Sequence, residues 1–197
     1  MKATKAEIID RYQGHDLWGL TEQTTEIPSF DCLDCRTVSS ESLESLAEAV
    51  VRSMSAKGLT LKTCESLTGG MLASTIVSVS GASKVFLEGF VTYSEESKMK
   101  RLGVSEQTLL SFGAVSYQTA YEMAKGTLQG ADYSLSTTGL AGPGGDRFSD
   151  KIGMVFVGIA TKDQTIVRGF RFTGDRKQIR ENSVRVALCM LLEALNK

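Results

Sequence analysis

A serine hydroxyl becomes a useful nucleophile only when a neighbouring base takes its proton. The 197-residue chain carries a single histidine, His15, far from any promising serine in sequence. A Ser-His pair is therefore not expected, and attention passes to Ser66 in Cys64-Glu65-Ser66-Leu67-Thr68-Gly69-Gly70. This stretch reads as a strand-to-helix turn. The first turn of a helix leaves backbone N–H groups unpaired, and these can hold a carboxylate, a phosphate or a developing oxyanion. Gly69 and Gly70 allow close approach of a ligand to the backbone, so Ser66 could attack a carbonyl whose oxygen enters those amides. The plainer reading is structural, with Ser66 and Thr68 as helix caps and the glycines as turn formers.

A base is offered by Tyr93-Ser94-Glu95-Glu96-Ser97-Lys98, which crosses from a strand end into a helix. A lysine partly withdrawn from water can be neutral and accept a proton, with a tyrosine hydroxyl as relay. The alternative is a solvated Lys98 on a charged helix. Two further segments could bind an anion. One is the glycine-rich loop Thr138-Gly139-Leu140-Ala141-Gly142-Pro143-Gly144-Gly145-Asp146-Arg147, which is neither a Walker loop nor a dinucleotide fingerprint. The other is Gly174-Asp175-Arg176 with Arg180, where two arginines one turn apart could grip a phosphate, or Asp175 could simply cap a helix. Cys32 and Cys35 have half the spacing of a zinc site, but no second pair completes four ligands, so no metal is expected. Cys64 and Cys189 read as core residues.

The elements that must position these groups follow from periodicity. Leu43, Leu46, Ala47, Val50, Val51 and Met54 recur at helical spacing, and Gly58 ends the run. Residues 59–63 alternate as a strand, and a second helix opens at Gly69-Gly70. Residues 85–93 read as a buried strand, followed by a helix from Ser94 with Glu95 and Glu96 in its first turn. Residues 116–129 are helical and 133–137 form a strand. Residues 154–160 and 165–172 pair as a hairpin, and 175–196 form the last helix. Helices alternating with strands, then a hairpin and a helix, predict a three-layer α/β/α domain with a mixed sheet. Residues 1–40 stand apart as an extension that packs on the domain or stays partly mobile, ahead of a domain at 41–197.

Bulk composition excludes several classes. Hydrophobic residues at 42% and charged residues at 23% are globular values. A net charge of −1 gives no reason to expect nucleic acid as a partner. No apolar run approaches membrane-spanning length, and no apolar stretch follows the N-terminus as a secretory signal would. Four cysteines are too few and scattered for a disulfide scaffold. The expected setting is cytoplasmic.

Taken in order, the segments resemble the CinA C-terminal family, the nicotinamide-nucleotide amidohydrolases. The resemblance rests on Glu65-Ser66-Leu67-Thr68-Gly69-Gly70, Phe90-Val91-Thr92-Tyr93-Ser94 with Lys98, and Leu102-Gly103-Val104. It continues through Phe112-Gly113-Ala114-Val115-Ser116, Gly139-Leu140-Ala141-Gly142-Pro143-Gly144-Gly145 and Gly174-Asp175-Arg176. It implies Ser66 as nucleophile, Lys98 as general base and Tyr93 as a third catalytic member. The implied reaction turns the carboxamide of nicotinamide mononucleotide into a carboxylate and releases ammonia, without metal or organic cofactor. Thr68, Gly69, Gly70, Gly139, Gly142, Gly144 and Arg176 are the expected substrate-binding residues. A small nucleotide substrate and a homo-oligomer are the expected partners. Leu67 stands where the family usually has Cys, and Glu95 where it usually has Asn; a charge at Glu95 would favour protonated Lys98 if the two are close. The loop from Asp146 to Ile152 is shorter than is common in the family. The competing readings are a nucleotide-binding module without turnover and a hydrolase of another amide.

Overall fold

A computed structural model describes residues 41–143 and 152–196 of the chain. Its elements, in order, are α1 (Leu43–Lys57), β1 (Leu61–Glu65), α2 (Met71–Val77), a 3-10 turn (Ala82–Lys84), β2 (Phe86–Val91) and α3 (Glu95–Leu102). They continue with α4 (Glu106–Phe112), α5 (Tyr117–Thr127), β3 (Tyr133–Gly139), β4 (Met154–Ala160), β5 (Thr165–Arg171) and α6 (Arg176–Leu195). The strands form one sheet in the order β2-β1-β3-β4-β5. Strand β1 runs parallel to both β2 and β3, whereas β4 and β5 are antiparallel additions. The expected three layers and mixed sheet are what the chain adopts.

Alternation along the strands builds both faces. Val155, Val157 and Ile159 of β4 join Leu61 and Leu135 in the core under α1, α2 and α6. Met154 and Phe156 turn the other way, against Ala120 and Tyr121 of α5. The α5 contact is polar as well as apolar. Buried Ser134 and Ser136 of β3 donate to the carbonyls of Ala124 and Ala120 at 2.6 and 2.7 Å. Gly158 lets the helix come this close, since a Cβ there would lie 2.5 Å from Ser136 Oγ.

The caps follow the local sequence. Ser94 accepts from Ser97 N–H at the start of α3, Gly58 takes the left-handed conformation after α1, and Asp175 with Gln178 makes a capping box on α6. Two expectations are corrected. Strand β1 ends at Glu65, placing that residue in the sheet. Strand β2, expected to be buried, is the edge strand and is largely exposed, with Leu87 and Val91 about half accessible. A run of β-branched and aromatic residues does not distinguish an edge from a centre. Residues 1–40, including Cys32 and Cys35, and the 144–151 segment lie outside the described residues.

Helix α5 crosses the end of α3 at Gly126, where a Cβ would overlap the carbonyl oxygen of Leu102. Gly-to-Ala changes inside helices normally stabilise by up to about 1 kcal/mol. Gly126→Ala is expected to do the reverse, lowering stability by about 1–3 kcal/mol in urea unfolding, the usual cost of overpacking. An unchanged or raised midpoint would contradict the packing described.

Candidate active site

Strand β1 lies between its parallel neighbours, so its carboxyl end is a crevice from which the chain departs to β2 on one side and later to β3 on the other. Such switch points are where open α/β sheets bind ligands. Ser66 follows directly. Its N–H donates to Thr137 O of β3 at 2.9 Å, while Thr92 N–H donates to Glu65 O at 2.9 Å on the β2 side. The backbone that carries Ser66 is thus held from both flanks, with the residue 9% exposed.

Helix α3 brings Lys98 to the same point. Its side chain is buried, with 1% of the residue exposed. Nζ lies 3.0 Å from Ser66 Oγ, 2.8 Å from Thr92 O and 3.3 Å from Tyr93 O. Burial pulls the Lys98 pKa down from its ordinary value to about 8, against a smaller upward pull from Glu95 and Cys64. The charge at Glu95 therefore acts in the direction expected from the sequence but loses to desolvation. A neutral amine has two N–H donors and one lone pair. The carbonyls of Thr92 and Tyr93 can take the donors, which leaves the lone pair for the Ser66 hydroxyl proton. The solvated-surface reading of Lys98 is thereby excluded.

Tyr93 is 64% exposed, and its hydroxyl accepts from Arg176 Nη2 at 3.3 Å rather than meeting Ser66 or Lys98. Arg176 also donates through Nη1 to Gly142 O at 2.8 Å, so it ties the β2–α3 junction to the glycine-rich loop at the mouth of the site. Gly142 has φ +68°, a conformation suited to glycine. At Gly139 the need is packing, since a Cβ would sit 2.6 Å from Met154 O on β4. Gly144 lies outside the described residues.

In the turn itself neither Ser66 nor Thr68 caps α2, and three N–H groups at its start already have a partner within the protein. The Glu65 carboxylate, fully buried, accepts from the N–H groups of Gly70 at 2.9 Å, Leu72 at 3.0 Å and Ala73 at 2.8 Å. Gly69 N–H donates to Ser66 O and Met71 N–H to Thr68 O. The hydroxyls of Thr68 and Thr137 pair at 2.7 Å inside the protein. Arg180, expected beside Arg176 on a phosphate, instead gives Nε to Leu67 O at 3.1 Å and Nη2 to Thr68 O at 2.6 Å. The roles of Glu65 and Arg180 escaped the sequence reading. A carboxylate just ahead of a helix start was the available signal for the first; nothing local announces the second. Cys64 behaves as expected of a core residue, burial pushing its thiol up to about 12, whereas Cys189 is only half-buried.

Among the described residues there is no cluster of side chains suited to a metal ion and no helix long and apolar enough to cross a membrane. Residues 43–195 match the family model of the CinA C-terminal domain. A CinA-like protein of Kosmotoga olearia is 47% identical over 154 residues, covering 77% of this chain and 37% of that protein. The chain spans well under half the length of the curated relatives it matches. Among solved structures, the competence/damage inducible protein CihA of Agrobacterium tumefaciens is 38% identical with a TM-score of 0.75, over 79% of this chain and 96% of that one. A CinA superfamily protein of Klebsiella pneumoniae is 34% identical with a TM-score of 0.76, over 79% and 99%.

The Lys98 environment is open to direct titration. Followed by carbon NMR at Cε, Lys98 is expected to titrate near pH 8, carrying its proton below that value and losing it above. Glu95→Gln should move the midpoint lower, because the carboxylate favours the charged amine. A wild-type midpoint near the ordinary lysine value of about 10.4 would contradict the burial described.

Proposed function

This chain belongs to the CinA C-terminal domain family, and from that membership we propose that it hydrolyses the carboxamide of nicotinamide mononucleotide to nicotinate mononucleotide and ammonia. The observation that carries the reading is the 3.0 Å approach of a buried Lys98 nitrogen to Ser66 Oγ. Neutral Lys98 takes the Ser66 proton as Oγ attacks the amide carbon. The tetrahedral oxyanion that forms is held by backbone N–H groups of the turn. Lys98 then returns the proton to the departing nitrogen, which leaves as ammonia, and the nicotinoyl group remains esterified to Ser66. Water attacks that ester with Lys98 again as base, and the carboxylate is released with Ser66 restored.

This route calls on no metal or organic cofactor. Tyr93 serves it as a positioning residue, its carbonyl fixing Lys98 and its phenol meeting Arg176. Arg176 is the candidate for the substrate phosphate. It is exposed beside the site, and a cation remote from the scissile amide contributes binding energy that is the same in ground and transition states.

Three measurements test the reading. Purified protein is expected to release ammonia from nicotinamide mononucleotide without added metal; background rates with micromolar protein over hours would leave a binding module as the better description. Ser66→Ala should abolish turnover, by roughly 10⁴-fold, with substrate binding retained. Arg176→Ala should raise KM about tenfold with little change in kcat, as expected from loss of a charge-assisted bond. An unchanged KM would remove Arg176 from the phosphate site.

A further inference from the structure

Few backbone N–H groups in the turn are free to stabilise an oxyanion. Every buried amide needs an acceptor, so each can be followed to its partner. Ser66 N–H goes to Thr137 O, Gly69 N–H to Ser66 O and Met71 N–H to Thr68 O. Those of Gly70, Leu72 and Ala73 go to the Glu65 carboxylate. Ser74 N–H continues the helix, to Gly70 O. From residue 66 to residue 74, only the N–H groups of Leu67 and Thr68 have no acceptor among the described residues. Both residues are buried, Leu67 at 4% exposure and Thr68 at 0%.

Two charged side chains enforce this partition. Glu65 draws three N–H groups toward the sheet side of the turn and holds the glycines in their left-handed conformations, φ +60° at Gly69 and +91° at Gly70. Arg180 reaches 112 and 113 residues back along the chain to the carbonyls of Thr68 and Leu67, the second of which is the other end of the peptide that carries the free Thr68 N–H. A cation on the Leu67 carbonyl polarises the peptide that carries the Thr68 N–H and makes it a stronger donor. It also orients that peptide before any substrate arrives.

We propose that Leu67 and Thr68 N–H form the oxyanion hole of this site, and that Glu65 and Arg180 are the positioning residues that create it. This rests on the serine acyl-transfer reading above and deepens it. It assigns to Arg180 a part in the transition state and not in phosphate binding, and it excludes the helix α2 amides of Gly70, Leu72 and Ala73 from ligand contact. An N–H group immediately after a nucleophile is well placed for the carbonyl oxygen of an ester or amide under attack.

The test compares Arg180→Gln, Arg180→Lys and Glu65→Gln with wild type in two assays. Steady-state turnover of nicotinamide mononucleotide should show kcat lowered by roughly 10- to 100-fold in Arg180→Gln, with KM within about threefold, because an oxyanion donor acts only in the transition state. Arg180→Lys, which can still reach one carbonyl, should recover part of the loss. Glu65→Gln keeps the shape but sets an NH2 group against an amide donor, so kcat should fall in that variant too. The second assay is the rate of Ser66 labelling by a fluorophosphonate, read by intact mass, which also passes through an oxyanion and needs no knowledge of the substrate. Labelling should slow in parallel with kcat, in protein whose melting temperature is measured alongside. Labelling of wild type without ammonia release would sink the substrate assignment and leave the oxyanion hole standing. A raised KM with normal kcat in Arg180→Gln, or labelling within twofold of wild type in both Gln variants, would overturn the proposal. So would a wild-type Ser66 inert in both assays.

Discussion

The site depends on one desolvated contact: an amine nitrogen, shut away from water, 3.0 Å from a serine oxygen. In solvent the same amine would be protonated at neutral pH and useless as a base. Buried on α3 with two backbone carbonyls to satisfy it, it titrates near 8 and stays within reach of neutrality. Much of the surrounding architecture holds this arrangement in place. Leu102 ends the helix that carries Lys98 and packs with Cys64, Val104, Leu109 and Met123, while Gly126 lets α5 cross close behind it.

The sheet topology supplies the other half of that contact. Because β1 is central and parallel to both neighbours, its carboxyl end opens between two connections, and the residue that follows it is held by rungs to β3 while β2 grips the residue before. A serine on a free loop would sample many rotamers and backbone positions. Here the backbone of Ser66 is an extension of the sheet. The helix that follows is short, seven residues, and draws stability from a carboxylate inside the protein instead of from a ligand. That choice separates this turn from the anion-binding turns it resembles in composition. Positive helix ends attract anions, and in this chain the anion is built in.

Family membership and local geometry bear on different questions. The match over residues 43–195 establishes the kind of domain, and the solved relatives share its fold across nearly their full length. The arrangement of charges is read from this chain's geometry. Glu95 stands on the helix with Lys98, yet desolvation outweighs it. Leu67 lies within the core, and its backbone carbonyl accepts from Arg180.

The sequence by itself determined the elements and their caps, because these rest on neighbours within a few residues. Ser94, Asp175 and Gly58 declared helix ends, and the segments 154–160 and 165–172 declared a hairpin. Together the motifs marked Ser66 and Lys98. Only the tertiary structure decided what each charge does. The edge position of β2, the exposure of Tyr93, the burial of Lys98 and the reach of Arg180 to Leu67 and Thr68 are contacts between residues 32 to 113 positions apart, or consequences of strand order. Glu65 is the instructive case: its partners are only five to eight residues away, yet its side chain could have pointed to either face of the sheet. Strand register chose the side, and with it whether the helix end would greet a ligand or be filled from within.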